Sequence, residues 1–265
     1  MIILSVFVFI FGVCIGSFLN CLIYRMEQNK KATGRSFCPH CKHILSWQDL
    51  FPVFSFLLLQ GKCRYCQKKI SWQYPIVEIS TGVLFIFIFL SFGFVSDFGF
   101  RASDFIKLCF MLYIASVLII IFVYDLKHYL IPEKVLFPAI FIYLAYRLSE
   151  IFTSNFASFG SYILAAAIAS GFFWVIWFFS RGKWMGFGDV ELAILMGLLL
   201  GLANVLAALF LAFFFGAIIS LILLGFYGKN LKSEVPFGPF LITGAFVALM
   251  WGQQIIQWYV QLFKI

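Results

Sequence analysis

Apolar and polar positions alternate along this chain on the scale of whole segments, with long hydrophobic runs separated by short polar interruptions. The first run covers residues 2–24, and others cover about 75–94, 105–124, 133–151 and 161–180. From Val190 to Phe226 the chain is apolar throughout, too long for one comfortable membrane span and short for two. Gly201-Leu-Ala-Asn204 is the best place to divide it. A last run opens at Pro236-Phe-Gly-Pro239 and ends near Phe263. Several runs approach or exceed the roughly 20 residues a helix needs to cross a bilayer, and none alternates in and out as barrel strands do. The pattern predicts an all-α polytopic membrane protein with about eight transmembrane helices. It divides into a first transmembrane helix over 1–24, a polar loop domain over 25–74 and a transmembrane domain over 75–265.

Composition agrees. Of 265 residues, 63% are hydrophobic and 11% charged, and 37 are Phe, whereas a soluble domain carries roughly 25% charged residues. The net charge of +8 could suggest nucleic acid, but its placement assigns it to membrane orientation. No basic segment precedes the first run and Arg25 follows it, the reverse of a cleavable signal peptide. With the N-terminus outside, segments 25–74, 125–134, 181–188 and 228–236 are cytosolic and hold fifteen of the nineteen Lys/Arg. Cytosolic loops of membrane proteins carry such an excess. The reading is a multi-pass protein with no nucleic-acid partner and no evident internal repeat.

Four of the seven cysteines form two short pairs, Cys38-Pro-His-Cys41 and Cys63-Arg-Tyr-Cys66. Two such turns suit one tetrahedral Zn²⁺, and a loop of about 50 residues needs a staple of that kind. Redox-active or unligated thiols are the alternatives; a disulfide framework is disfavoured in a reducing cytosol. Cys14, Cys21 and Cys109 lie in apolar runs and read as small packed side chains.

Two acids stand at the mouths of apolar runs. Asp125 ends one run and Asp189 begins another, after Gly186-Phe-Gly188. Carboxylates at that depth mark functional sites by default, although an interfacial cap or an ion pair with Lys127 accounts for either alone. Together, on one membrane face, they can hydrolyse a peptide bond. One takes a proton from water and the other donates to the carbonyl oxygen. Helix ends favour Asp125 as the acid and Asp189 as the base. Gly186 and Gly188 let an extended peptide approach and are the substrate-binding candidates. Glu78, near the cytosolic end of the second run, joins them, with an interfacial charge as its plainer reading. A proton-coupled transporter is the rival, since intramembrane acids also line ion paths, but no ionisable residue stands clearly at mid-span.

In order along the chain, Gly16-Ser-Phe-Leu-Asn20, the two cysteine pairs, Tyr74-Pro-Ile-Val-Glu78, the Asp125 segment with Ile131-Pro132, Gly186-Phe-Gly-Asp189 and Pro236-Phe-Gly-Pro-Phe240 resemble the type IV prepilin leader peptidases, membrane-embedded aspartyl proteases. The resemblance implies that Asp125 and Asp189 are catalytic and that the substrates are type IV prepilin or pseudopilin precursors, cut at the cytosolic face of the bacterial plasma membrane. It also implies N-methylation of the new amino terminus with S-adenosylmethionine. Glu191 departs from the family pattern, which often has lysine there.

Overall fold

The structure is a computed structural model, and it describes residues 2–91, 102–151, 156–227 and 235–262. The expected ends of the second and last spans and the loops about 95–101, 153–155 and 228–234 lie outside the described residues. The helices are α1 (Ile2–Glu27), α2 (Phe54–Leu58), α3 (Gln73–Ser91), α4 (Ala102–His128), α5 (Glu133–Ile151), α6 (Phe156–Ser180), α7 (Phe187–Tyr227) and α8 (Gly238–Leu262), with a 3-10 turn at Trp47–Leu50. Among the described residues there is no β-strand beyond two isolated bridges, and six helices are long and apolar enough to cross a membrane. The protein is an all-helical, multi-pass membrane protein. α5, with Pro138 and Arg147 inside it, is the least apolar of the long helices.

The long run after residue 190 is a single 41-residue element, α7, whose helical backbone is broken at Gly201 (φ 73°, ψ 175°). Its division falls where the glycine signalled it, as a kink and not an open turn. Positive φ there is open to glycine without steric cost, and the ring of Tyr162 fills the space a side chain would take.

The backbone forms two compact units, Met1–Ile120 and Ile121–Ile265, with the boundary inside α4. In the first, α1 packs on α3 through small residues. A Cβ at Gly12 would meet Gly82 Cα at 2.8 Å, and one at Gly16 would meet Glu78 Cα at 2.7 Å, the close backbone approach that membrane helices use in place of a hydrophobic drive. Asn20 bridges the same pair, donating to the Tyr74 carbonyl at 3.1 Å and accepting from Gln73 at 3.3 Å. Arg25 is buried, and its guanidinium donates to the carbonyls of Ala32 and Gly34, which turns the chain out of α1 into the cysteine loop. In the second unit α7 packs against α6 and α8, again at glycines. Gly197 lies against the backbone of Ala165 and Ala166, and Gly244 against that of Ala208.

Candidate functional site

Two sites are built, one in each unit. In the loop between α1 and α3, the sulfurs of Cys38, Cys41, Cys63 and Cys66 all lie within 4.8 Å of one another, with Cys38 and Cys66 3.9 Å apart. Zn–S bonds of about 2.3 Å in a tetrahedron put sulfurs about 3.8 Å apart, so the donor set fits a zinc-sized ion. The cluster could hold a metal.

Each cysteine pair sits on the same ten-residue turn. In the first, Cys38 N–H donates to the His43 carbonyl, Lys42 N–H to Cys38, and Leu45 N–H to Ser36. In the second, Cys63 donates to Lys68, Gln67 to Cys63, and Ile70 to Gly61. Every partner is shifted by 25 residues, and so are the bridges Phe37–Ile44 and Lys62–Lys69 and the left-handed residues Lys42 (φ 61°) and Gln67 (φ 58°). The loop is therefore an internal repeat, contrary to the expectation of none. Two residues per turn share an identity at matching places, the cysteines, so the repeat is carried by backbone geometry.

Thiol acidity is split across the cluster. Burial raises Cys38, but hydrogen bonds from the Cys41 and His40 backbone and from the Cys63 and Cys41 thiols outweigh it and bring the group down to about 7. At Cys66 a hydrogen bond from the Lys68 backbone lowers the value, yet burial and the neighbouring thiols of Cys63, Cys41 and Cys38 push it up to about 11. One thiol of the cluster is thus ready to bind a cation as thiolate near neutral pH. Between the two turns, Asp49 accepts from Arg64 Nε at 2.7 Å, from Ser46 Oγ at 2.8 Å and from the Tyr65 hydroxyl at 3.3 Å. The rings of His43 and Tyr65 stack with centroids 3.7 Å apart.

The second site is made from helix ends. Asp125 lies in the last turn of α4 and Asp189 in the first turn of α7, and both are buried, 4% and 7% exposed. The two carboxylates lie within electrostatic reach of each other. α4 stops at Tyr129, whose φ of 56° and N–H bond to the Asp125 carbonyl at 2.9 Å end the helix. The chain then returns through Ile131 and Pro132, and Ile131 packs on Gly188, where an added Cβ would come within 2.8 Å. That contact seats the Asp125 loop against the Asp189 loop. Gly186 donates its backbone N–H to the Asp189 carboxylate.

Asp125 is held by a residue that sequence reasoning gave no role. Gly238, the first residue of α8, donates its backbone N–H to the Asp125 carboxylate. A Cβ on Gly238 would stand 2.5 Å from Asp125 Oδ2. Asp125 therefore faces the negative end of α4 and the positive end of α8 at once, which removes the helix-end basis for making it the acid and Asp189 the base. The Pro-Phe-Gly-Pro stretch was the available signal. Glu191 is buried too and within electrostatic reach of Glu133 at the start of α5. Glu78 is in the first unit, where it accepts from Val53 N–H at 2.7 Å and from the Ser17 side chain.

Comparison with known proteins decides the family. Residues 10–92 match the bacterial peptidase A24 N-terminal domain and residues 112–221 the type IV leader peptidase family. A prepilin leader peptidase/N-methyltransferase of Legionella pneumophila is 31% identical over 283 residues, covering 95% of this chain and 92% of that protein. The chain belongs to the type IV leader peptidase family. A Bacillus subtilis protein of the same description is 33% identical, with 96% and 97% of the two chains aligned. One from Pseudomonas aeruginosa is 30% identical, with 94% and 91% aligned. No solved structure matches the chain. The first matched segment contains the cysteine cluster, and the second contains both aspartates.

Proposed function

We propose that this family member is a membrane-embedded aspartyl endopeptidase that removes the leader of type IV prepilin-like precursors, with Asp125 and Asp189 as the catalytic pair. The observation that carries the reading is the meeting of two buried carboxylates, each held by one backbone N–H, at the ends of three apolar helices. One carboxylate accepts a proton from water as it attacks the scissile carbonyl, and the other, protonated, donates to the carbonyl oxygen. Two buried carboxylates within electrostatic reach of each other resist ionising together, so in this reading the pair works with one shared proton. The Gly186–Gly188 edge is where the substrate backbone lies. An apolar groove of about 490 Å³, lined by Phe122, Leu126, Tyr129, Phe215, Pro239 and Phe240, opens beside Asp125 and Gly238. It takes the apolar side of the junction while the polar leader stays in water. None of these relatives is described as a transporter.

In this reading the cysteine cluster holds a structural Zn²⁺, which fixes the fold of its loop and takes no part in hydrolysis. The relatives' description adds N-methyltransferase activity, which implies S-adenosylmethionine as methyl donor. The described residues form no glycine-rich nucleotide loop of the soluble methyltransferase kind. Glu78 fixes the loop at Val53, a positioning role inside the first unit, and is not assigned to the substrate edge. The lysine and arginine distribution supports an orientation with the N-terminus outside and the aspartates at the cytosolic face of the plasma membrane.

The test is mass spectrometry of a co-expressed prepilin with the wild-type protein and with Asp125→Asn and Asp189→Asn. Each variant inserts normally and leaves the precursor full length. Cleavage by either variant overturns the assignment of the pair.

A further inference from the structure

The loop that carries the cysteines also carries an apolar arm with no part in metal binding or hydrolysis. Leu50-Phe-Pro-Val-Phe-Ser-Phe-Leu-Leu-Leu59 is uncharged over ten residues. One ring of it turns inward, since Phe56 is buried against Trp72 with centroids 4.9 Å apart. The others turn out. Trp47 is 69% exposed, Phe54 70%, Leu57 61% and Leu58 84%, and Leu50 and Phe51 are exposed beside them. Six large apolar side chains facing outward within twelve residues make a surface that water does not tolerate without a partner.

The depth of the arm identifies that partner. Val53 N–H is bonded to Glu78, five residues into α3 and so about 7 Å along a membrane-spanning helix. The Glu78 backbone packs on Gly16, eleven residues before the end of α1, or about 16 Å. Even with the whole glutamate side chain and its hydrogen bond reaching back toward the loop, residue 53 lies no further out than the start of α3 and more than one helical turn below the end of α1. Both ends of the segment are tied to spans, so the arm stays at this level. Exposed Lys62, Lys68 and Lys69 follow it on the second cysteine turn, where they can meet anionic headgroups.

We infer that residues 47–58 form an interfacial arm that embeds its outer face in the lipid bilayer, with aromatic rings at headgroup depth and Phe54, Leu57 and Leu58 among the acyl chains. The arm joins the two cysteine turns, so the metal-binding loop lies on the membrane and does not project from it. This inference is independent of the peptidase reading and needs no substrate.

The experiment places the photoreactive residue p-benzoylphenylalanine at Leu58, Phe54 or Lys68 of the full chain. The protein is reconstituted in phosphatidylethanolamine–phosphatidylglycerol vesicles, irradiated, and its intact mass read. The replacements at 54 and 58 are apolar and exposed, so folding is retained, which an unchanged helical circular dichroism spectrum verifies. Lipid-mass adducts at 54 and 58 in at least about fivefold higher yield than at 68, whose side chain lies at headgroup level and not among the acyl chains, are the expected result. Cross-links from 58 to another segment of the chain or to a second copy in place of lipid overturn the inference. So does an equal yield of adduct at 68, or no adduct at any position.

Discussion

Replacing Gly238 by alanine introduces a methyl carbon 2.5 Å from Asp125 Oδ2 and 3.2 Å from Asp125 Cγ. Ordinary carbon–carbon contacts lie at about 3.5–4.0 Å, so the carboxylate or the start of α8 must move by close to an ångström. Either movement breaks the Gly238 N–H bond to Asp125. A hydrogen bond to a charged group contributes about 1.5–3 kcal/mol, and at about 1.4 kcal/mol per tenfold in rate its loss lowers kcat by about 10- to 150-fold. Gly186→Ala is the matched control. Its Cβ would lie 3.9 Å from Asp189 Oδ2, an ordinary contact, so the carboxylate stays where it is. The change is felt as a higher KM, since a methyl group stands on the edge proposed for the substrate backbone, and kcat is spared. The assay is single-turnover and steady-state cleavage of a purified prepilin in detergent or nanodiscs, with both variants at matched expression. If Gly238→Ala keeps kcat within about threefold of wild type, a change of less than about 1 kcal/mol, the hydrogen bond from α8 is not part of the catalytic arrangement.

Three further outcomes follow from the cysteine loop. If the cluster holds the proposed zinc, Cys63→Ser, at a buried cysteine of the cluster, lowers the zinc content of the purified protein well below that of wild type, read by atomic emission; unchanged zinc content removes the ligand assignment. Asp49→Asn loses the charge that pairs with a half-exposed Arg64, an ion pair of the kind that contributes up to about 1 kcal/mol, so amides 62–69 exchange up to about fivefold faster than in wild type. Burial raises the Asp49 carboxyl, but the bonds from Arg64 and Ser46 outweigh it and hold it below the ordinary carboxylate range. Its stabilisation is therefore complete above the unfolded value of about 3.9 and lost as pH falls through the lower folded value. The exchange difference between wild type and variant, compared at equal pH, stays constant from about pH 5.5 upward; a difference that varies in that window assigns the effect to another group.

Much of the architecture is legible in the order of the residues, because a bilayer imposes one simple demand, a long apolar run for each crossing. The Gly201 break, the two cysteine turns and the acids at helix mouths all announce themselves by residue type. What stays hidden has a common cause. Gly238 acts through its backbone N–H, which every residue but proline possesses, so nothing in its identity marks it as the partner of Asp125. The 25-residue repeat resides in hydrogen bonds and in the positive φ of Lys42 and Gln67, neither of them a residue that advertises such a backbone. The apolar arm is masked by averaging. Residues 25–74 carry nine Lys/Arg, and a ten-residue apolar stretch inside them is half the length that signals a span.

The donor that seats Asp125 is residue 238 of a 265-residue chain. A ribosome delivering this polypeptide into the membrane therefore releases α4 and α7, with both acids in place, well before the clasp that orients the first of them exists. On the proposed reading the acid pair is incompletely seated until α8 docks, and a nonsense codon between residues 190 and 237 leaves a chain that carries both acids without the backbone N–H that holds Asp125.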